Sequence, residues 1–372
     1  VQRFGKECVG GAEAHAWQLT TWLRNNTDWQ IEVLTSCAKD YRHWKNEYPS
    51  GLQKEDGIAI QRFPVRFPRW SGIFALTSRL VFAWTRRFQN RHGALGAVTL
   101  FLQRIWLMLQ GPYTPELVKY IQDQKYQTDF FLFFTYLYYP TVVGLPHVKD
   151  KACLIPTAHD EPPFYFDLVA KMLEGSFKII TNTPVEKSLM QRVHGLDEGR
   201  FLEGAFGLPD LTPSKALTNP YPNPYIKSEK GRQPITLVLA GKMEDDFSLP
   251  TSPHILYLGF VKDEQKTDLI RYAGAIVNPS RLESLSMIVL EGLTMGKPIL
   301  VTYHCDVLRS YAETLPTVQA YRDYDEFESL LQELSSQNFV PQLDHANTGR
   351  DWVLDHFSWE KVRDNILQSM PK

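Results

Sequence analysis

Two glutamates eight residues apart are the residues of this chain best placed to do chemistry. Glu283 and Glu291 lie in the stretch 279–298, PSRLESLSMIVLEGLTMGKP. An apolar strand, Ala275 to Asn278, runs into a short polar turn that carries Glu283. The turn feeds a helix that carries Glu291, the helix ends at Gly296-Lys-Pro298, and a second apolar strand follows from Ile299 to Thr302. A strand–turn–helix–strand unit points a helix N-terminus at the carboxyl edge of a parallel sheet. Ligands of α/β proteins bind at that edge, and the N–H groups there suit phosphate. Two carboxylates beside a phosphate would repel it unless they bind hydroxyls, so sugar and ribose hydroxyls are the natural partners. The bland alternative is an amphipathic helix with two solvated glutamates.

The same stretch resembles the E-x7-E motif of retaining glycosyltransferases of the GT-B fold, family four (group 1). The whole string P-S-R-x-E-S-L-S-M-x-V-L-E-x-x-x-x-G-K-P carries the resemblance far more specifically than the two glutamates alone. The resemblance implies that Glu283 contacts the donor sugar and Glu291 the ribose. It implies two Rossmann-like α/β domains facing a cleft, a UDP- or GDP-linked nucleotide-sugar donor, an acceptor hydroxyl on a glycan or lipid-linked molecule, and no cofactor. It further implies transfer with retention, in polysaccharide or glycolipid biosynthesis. In the front-face mechanism of such enzymes the donor phosphate takes the acceptor proton. Backbone N–H groups at Ser284, Leu285 and Ser286 would then steady the leaving diphosphate. Two rival readings are a catalytically weakened GT-B scaffold or remnant and a nucleotide-sugar epimerase of the same fold.

Elsewhere the sequence supplies further candidates. Gly10 and Gly11 stand between Val1–Gly5, which looks like the end of a first strand whose beginning is absent, and a helix over 11–23. Glycines there let backbone approach a ligand closely, and by the resemblance they would face the donor diphosphate. The alternative is a tight turn. The run Thr157-Ala-His-Asp-Glu161 follows a strand ending at Pro156. By the resemblance His159 would touch donor sugar or acceptor, with Asp160 or Glu161 orienting it; the alternative is a helix-capping cluster.

The resemblance departs from the family at one place. The nucleotide domain should open with a strand and a G-R-x-x-x-x-K-G turn whose Arg and Lys neutralise the diphosphate. Here Phe206-Gly-Leu208 leads into 209–234, which holds six prolines and reads as linker. The domain falls short by about one strand and one helix. Lys242 and Arg281, each after a strand, are the residues left to supply positive charge. Losing a preorganised cationic donor costs about 2.7–4 kcal/mol in such sites, so the expectation is weak donor affinity and slow turnover.

The elements that must position these residues alternate strand and helix throughout, which predicts parallel sheets. A length of 372 residues suits two domains. The expected division is 1–205 on the acceptor side, 206–352 for the nucleotide sugar, and a helix over 353–372 returning to the first domain. Net charge of −2 gives no general attraction to nucleic acid. The four cysteines, at 8, 37, 153 and 305, form neither a disulfide framework nor a zinc pattern. They fit a reducing cytoplasm, and no metal is expected. No apolar run reaches the roughly 18 residues of a membrane helix; the run 130–145 is broken by Pro140.

One segment is unusual in composition. From Gly57 to Pro115 there is no Asp, Glu or Lys, but there are eight arginines, His92 and many aromatics. Periodicity predicts a long helical region over 72–109 with Ile73, Leu76, Leu80 and Trp84 on one stripe. A basic amphipathic helix can lie on an anionic membrane, which would make the protein peripheral at the inner membrane face. Arginines could also hold a phosphate-bearing acceptor. The plain alternative is a packed helix pair with solvated arginines.

Overall fold

A computed structural model describes the chain except for residues 9, 92, 176, 209–234, 244–246, 336–342 and 372. The linker expected over 209–234 therefore lies outside the described residues. The chain divides into two units, Val1–Gly207 with Ser358–Lys372, and Leu208–Phe357.

The first unit begins with helix α1 (Gly11–Asn26) and strands β1 (Glu32–Ser36), β2 (Gly51–Glu55) and β3 (Ile58–Phe63). These strands form a sheet in the order β1-β3-β2. The β1–β3 pair is parallel, but β2 runs antiparallel to β3. That hairpin corrects the expectation of parallel sheets throughout. β2 is an edge strand, and its sequence GLQKE lacks the apolar run that marks a buried parallel strand. Val1–Gly5 is irregular rather than strand. It is tied to both neighbouring strand ends: Ser36 donates to the Gln2 carbonyl at 2.6 Å, and Thr135 donates to the Gln2 side-chain oxygen at 3.1 Å.

The long helical region proves to be two helices, α2 (Ser71–Phe88) and α3 (Gly93–Gln110), followed by α4 (Pro115–Gln124). The break falls at Asn90, which has φ of 59°, a left-handed conformation that asparagine tolerates. α3 is 18 residues long with mean hydropathy of 1.2, long and apolar enough by length and composition to cross a membrane. The sequence reading found no apolar run of that length; averaged over the helix, with Thr99, Gln103 and Arg104 included, the segment still qualifies.

A second sheet in the order β4-β5-β6-β7 is wholly parallel. Its strands are β4 (Phe131–Phe134), β5 (Ala152–Ile155), β6 (Lys178–Thr181) and β7 (Phe201–Glu203), with α5 (Tyr139–Gly144), α6 (Asp167–Leu173) and α7 (Pro184–His194) between them. β5 is buried at every position, as a parallel central strand must be. One large cluster joins Trp106, Leu107, Leu117, Phe133, Leu154, Phe164 and Ile179. Elsewhere in this unit, α1 meets α13 (Trp359–Ser369) through stacked Trp22 and Trp359 rings 6.1 Å apart. Asn365 of α13 fixes that helix by donating to the Glu203 and Gly204 carbonyls at 2.9 and 3.0 Å.

The second unit contains β8 (Leu237–Leu239) and β9 (Ile255–Tyr257), which pair in parallel with each other. A separate parallel sheet has the order β10-β11-β12, formed by β10 (Ile276–Asn278), β11 (Ile299–Thr302) and β12 (Val318–Tyr321). The helices of this unit are α8 (Asp263–Tyr272), α9 (Met287–Thr294), α10 (Asp306–Thr314), α11 (Tyr324–Ser335) and α12 (Leu343–His356). α9 is apolar nearly all round and largely buried. Its Gly292 lets it lie directly on the sheet: an added Cβ would stand 2.7 Å from Ile299 Cδ1 and 3.1 Å from Ile276 Cγ1.

Gly292→Ala should therefore destabilise the second unit. Overpacking costs about 1–3 kcal/mol, against a helix-propensity gain of about 1 kcal/mol, so the net loss is at most about 2 kcal/mol. Gly292→Val should lose more. Urea unfolding reads the difference, and an alanine variant clearly more stable than the parent would refute the close approach.

Candidate functional site

The turn between β10 and α9 is built around one side chain. Asn278, the last residue of β10, is buried. Its Nδ2 donates to Glu283 Oε1 at 3.1 Å and to Ser286 Oγ at 2.7 Å, while its Oδ1 accepts from the Ser280 amide at 2.9 Å. From the other side Tyr311 of α10 donates to the Leu285 carbonyl at 2.7 Å. Thus both ends of the 279–286 turn are fixed before any ligand is present. Ser284, Leu285 and Ser286 are buried, and Ser286 caps α9 with φ of 67°. A non-glycine residue in that region costs of order 1 kcal/mol and survives only where its surroundings enforce it. The first N–H groups of a helix have no intrahelical partner, so the start of α9 is a donor-rich end.

Glu283 is half-buried, and burial raises its carboxyl above the ordinary range against the lowering effect of Asn278 and Ser280. Glu291 lies deeper on α9 and is almost inaccessible. Burial raises it too, opposed by Lys266, whose ammonium donates to Glu291 Oε1 at 2.7 Å. Arg281 is exposed in the same turn as Glu283. Lys242 is exposed just after β8, in the segment between the two strands of that sheet. The sequence reading missed Asn278, Tyr311 and Lys266. Asn278 had a signal, a polar residue ending an otherwise apolar strand. Lys266 had none, because it lies 25 residues from Glu291 on another helix.

In the first unit the two glycines behave differently. Gly10 has φ of 152°, and an added Cβ would stand 2.1 Å from Glu13 Oε2 and 3.3 Å from Arg3 Nη2. Gly11 is exposed, with nothing within 4 Å of a Cβ. Beneath Gly10, the Glu13 carboxylate accepts from Gln2 at 2.8 Å and from Arg3 at 2.7 Å, the latter a nearly inaccessible ion pair. The glycine is therefore required by the chain itself, whatever faces its other side.

His159 is half-buried after β5, where Thr157 has φ of 46°. The carboxylates beside it are engaged elsewhere: Asp160 accepts from Tyr165 at 2.8 Å and pairs with Arg192, and Glu161 accepts from Tyr136 at 2.8 Å. The residue that shapes this loop is Glu186, which the sequence reading overlooked. It stands in the first turn of α7, whose cap Thr183 accepts from the Glu186 amide at 3.2 Å. Its carboxylate accepts from the Ala158 amide at 2.5 Å and the Asn182 amide at 2.7 Å. A capping-box pattern at 183–186 was the available signal. Burial pushes Glu186 up to about 8, against the pull of those two N–H groups. Next to the loop lies a cavity of about 280 Å³, with Phe82 and Arg86 of α2 and the following Gln89 on one side and Asp160, Tyr165 and Phe166 on the other.

Comparison with known proteins bears on the fold. Residues 224–336 match the model of the glycosyl transferases group 1 family. The structure resembles sucrose-phosphate synthase from Thermosynechococcus elongatus, with a TM-score of 0.62 and 15% identity over 97% of this chain and 92% of that one. It resembles WaaG, a glycosyltransferase involved in lipopolysaccharide biosynthesis, with a TM-score of 0.57 and 13% identity over 98% of each chain. It also resembles the Anabaena protein HepE in complex with UDP and glucose, with a TM-score of 0.61 and 12% identity over 99% of this chain and 97% of that one. No curated protein matches the chain in sequence. At these identities the structural likeness establishes the fold, which is that of GT-B glycosyltransferases.

The buried Glu186 gives stability a definite pH dependence. Its carboxyl is raised in the folded state, so the folded protein keeps a proton that the unfolded chain releases. Stability should then fall as pH rises from 4.5 towards about 8. Glu186→Gln should flatten that part of the profile. Melting temperatures of both proteins between pH 5 and pH 8 test it, and an unchanged slope in the variant would assign the dependence to another group.

Proposed function

From a group 1 glycosyl transferase segment within a GT-B fold, we propose that this protein transfers a sugar from a nucleotide-sugar donor to an acceptor hydroxyl with retention of configuration. The carrying observation is the pre-shaped 279–286 turn, which sets the Glu283 carboxylate beside the donor-rich start of α9. Glu283 accepts hydroxyls of the donor sugar, and Glu291 accepts those of the ribose. The N–H groups of Ser284 to Ser286 and the first turn of α9 meet the diphosphate. The acceptor oxygen bonds to the anomeric carbon as the bond from that carbon to the phosphate oxygen breaks. The acceptor proton passes to the departing phosphate.

Positive charge for the diphosphate falls to Arg281 in the same turn, with Lys242 as the other candidate. Lys266 serves Glu291 rather than the phosphate, because its ammonium is already bonded to that carboxylate. HepE is bound to UDP and glucose in its structure, which favours a uridine donor here over GDP. The acceptor hydroxyl, on a glycan or lipid-linked molecule, is met by the first unit. Within that unit, His159 and the cavity beside it, with its aromatic wall and its carboxylate and guanidinium groups, offer contacts for the acceptor's hydroxyl-rich ring. Gly10 and Gly11 give backbone access for a ligand of the first unit.

The glutamate roles separate in experiment. Glu283→Gln should lower turnover more than it weakens binding of bare nucleotide, whereas Glu291→Gln should weaken nucleotide binding itself. A hydrogen bond to a charged group contributes about 1.5–3 kcal/mol, so roughly ten- to hundredfold effects are expected. Calorimetry with UDP, GDP and their sugars, together with donor turnover, reads both. Wild-type binding and turnover in the two variants would end the assignment. With no family-like Arg/Lys turn in the sequence, affinity of the parent for nucleotide sugars should be weak; micromolar binding would show that Arg281 or Lys242 replaces it.

A further inference from the structure

We propose that the α2–α3 hairpin is a docking surface for an anionic lipid bilayer, with its outward apolar side chains entering the boundary between headgroups and acyl chains. The inference stands on the hairpin surface alone and holds whether or not the chain transfers a sugar. On α2 the sequence stripe does not face the core. Ile73, Leu76 and Leu80 are 55%, 61% and 64% exposed. The residues α2 turns inward are instead Phe74, Val81 and Phe82, which join the cluster around Trp106. α3 likewise exposes Leu95, Val98 and Phe101, the last at 62%. Isolated exposed leucines are ordinary, but so many large apolar side chains on one helix pair call for a covering partner.

Charge identifies the partner. Of the eight arginines over 57–115, three are spent on the fold. Arg62 is buried and donates to the Phe4 carbonyl at 2.8 Å, Arg66 pairs with Glu116, and Arg69 donates to the Gln110 carbonyl at 2.7 Å. The other five, at 79, 86, 87, 91 and 104, are exposed, and no ion pair among the described residues involves them. The carboxylates that approach the hairpin already have partners: Asp160 in Tyr165, Glu161 in Tyr136, and Asp167 in the Asn90 amide. On α2, Arg87 lies within the apolar stripe at helical spacing and Arg79 and Arg86 flank it. Arginine stems can lie on the apolar surface while the guanidinium reaches phosphate. A protein partner would supply such apolar area with discrete carboxylates; a bilayer supplies a diffuse negative surface over acyl chains, which suits charges spread along two helices.

The hairpin lies on such a surface rather than crossing it. Although α3 is long and apolar enough to span, its polar residues are bonded to α2: Trp84 donates to Thr99 at 3.0 Å, Gln103 to Thr85 at 3.2 Å, and Trp106 to Ser78 at 2.9 Å. Trp106, Leu107 and Gln103 are also buried within the first unit. Spanning would require breaking these contacts and taking Arg104 into hydrocarbon.

Sedimentation of the full chain with vesicles tests the proposal, using phosphatidylcholine alone and phosphatidylcholine mixed with phosphatidylserine. Binding should require the anionic lipid and weaken with salt, since screening acts over about 8–10 Å at ordinary ionic strength. Leu76→Gln with Leu80→Gln should reduce binding at least tenfold at low salt while leaving the melting temperature and nucleotide binding unchanged, because both positions are exposed. Arg79→Gln with Arg91→Gln should reduce it about fivefold or more per charge and flatten the salt dependence. Equal binding to both vesicle types, no binding to either, or full binding by the leucine variant would each overturn the proposal. So would a dimeric parent that fails to bind vesicles and becomes monomeric in the leucine variant, since the face would then meet a second copy of this chain.

Discussion

The desolvation of carboxylates is the constraint on which both candidate sites depend. Glu13, Glu186 and Glu291 are buried and Glu283 is half-buried, and each is held by a specific partner. A carboxylate removed from water without compensation is costly enough to shed its charge. Here each one bonds a segment that would otherwise be loose. Glu13 draws in Gln2 and Arg3, Glu186 ties the Ala158 and Asn182 amides together, Glu283 meets Asn278, and Glu291 meets Lys266. The loops at these strand ends take their shapes from buried, hydrogen-bonded carboxyl groups as much as from apolar packing.

That arrangement also explains the backbone conformations nearby. Thr135 and Thr157, just beyond β4 and β5, and Ser286 at the cap of α9 all have positive φ without being glycine. Each is adjacent to one of the tethers: Thr135 donates to Gln2, the Thr157 loop is bonded through Ala158 to Glu186, and Ser286 accepts from Asn278. The tethers supply the free energy that such conformations need. A loop fixed before a ligand arrives loses less entropy on binding, so a shaped turn beside Glu283 favours recognition of a defined ligand geometry.

How much of this was legible in the sequence follows from the range of each interaction. The unit from β10 to β11 was readable because everything that defines it is contiguous: apolar strand, polar turn, apolar helix, glycine stop. The Gly10 turn was readable for the same reason, although its need for glycine comes from Glu13 and not only from a ligand. Lys266, Tyr311 and Glu186 act on groups 25, 26 and 28 residues away, and no spacing rule brings such pairs together. The antiparallel β2 was missed because a polar edge strand has no apolar signature.

The α2 stripe shows the same limit from another side. Periodicity correctly groups Ile73, Leu76 and Leu80, but it cannot say which apolar face of a helix is buried when two are present. On α2 the second face, with Phe74, Val81 and Phe82, carries the aromatic bulk that the cluster around Trp106 and Phe166 requires. The aliphatic face is left in water, and the arginines remain beside it. Packing therefore decides the exposure, and the exposed composition decides what can cover it. A surface of leucines alone would suit another protein as well as a membrane; leucines among arginines, beside described carboxylates that are already bonded, suit a partner that is apolar within and anionic at its surface.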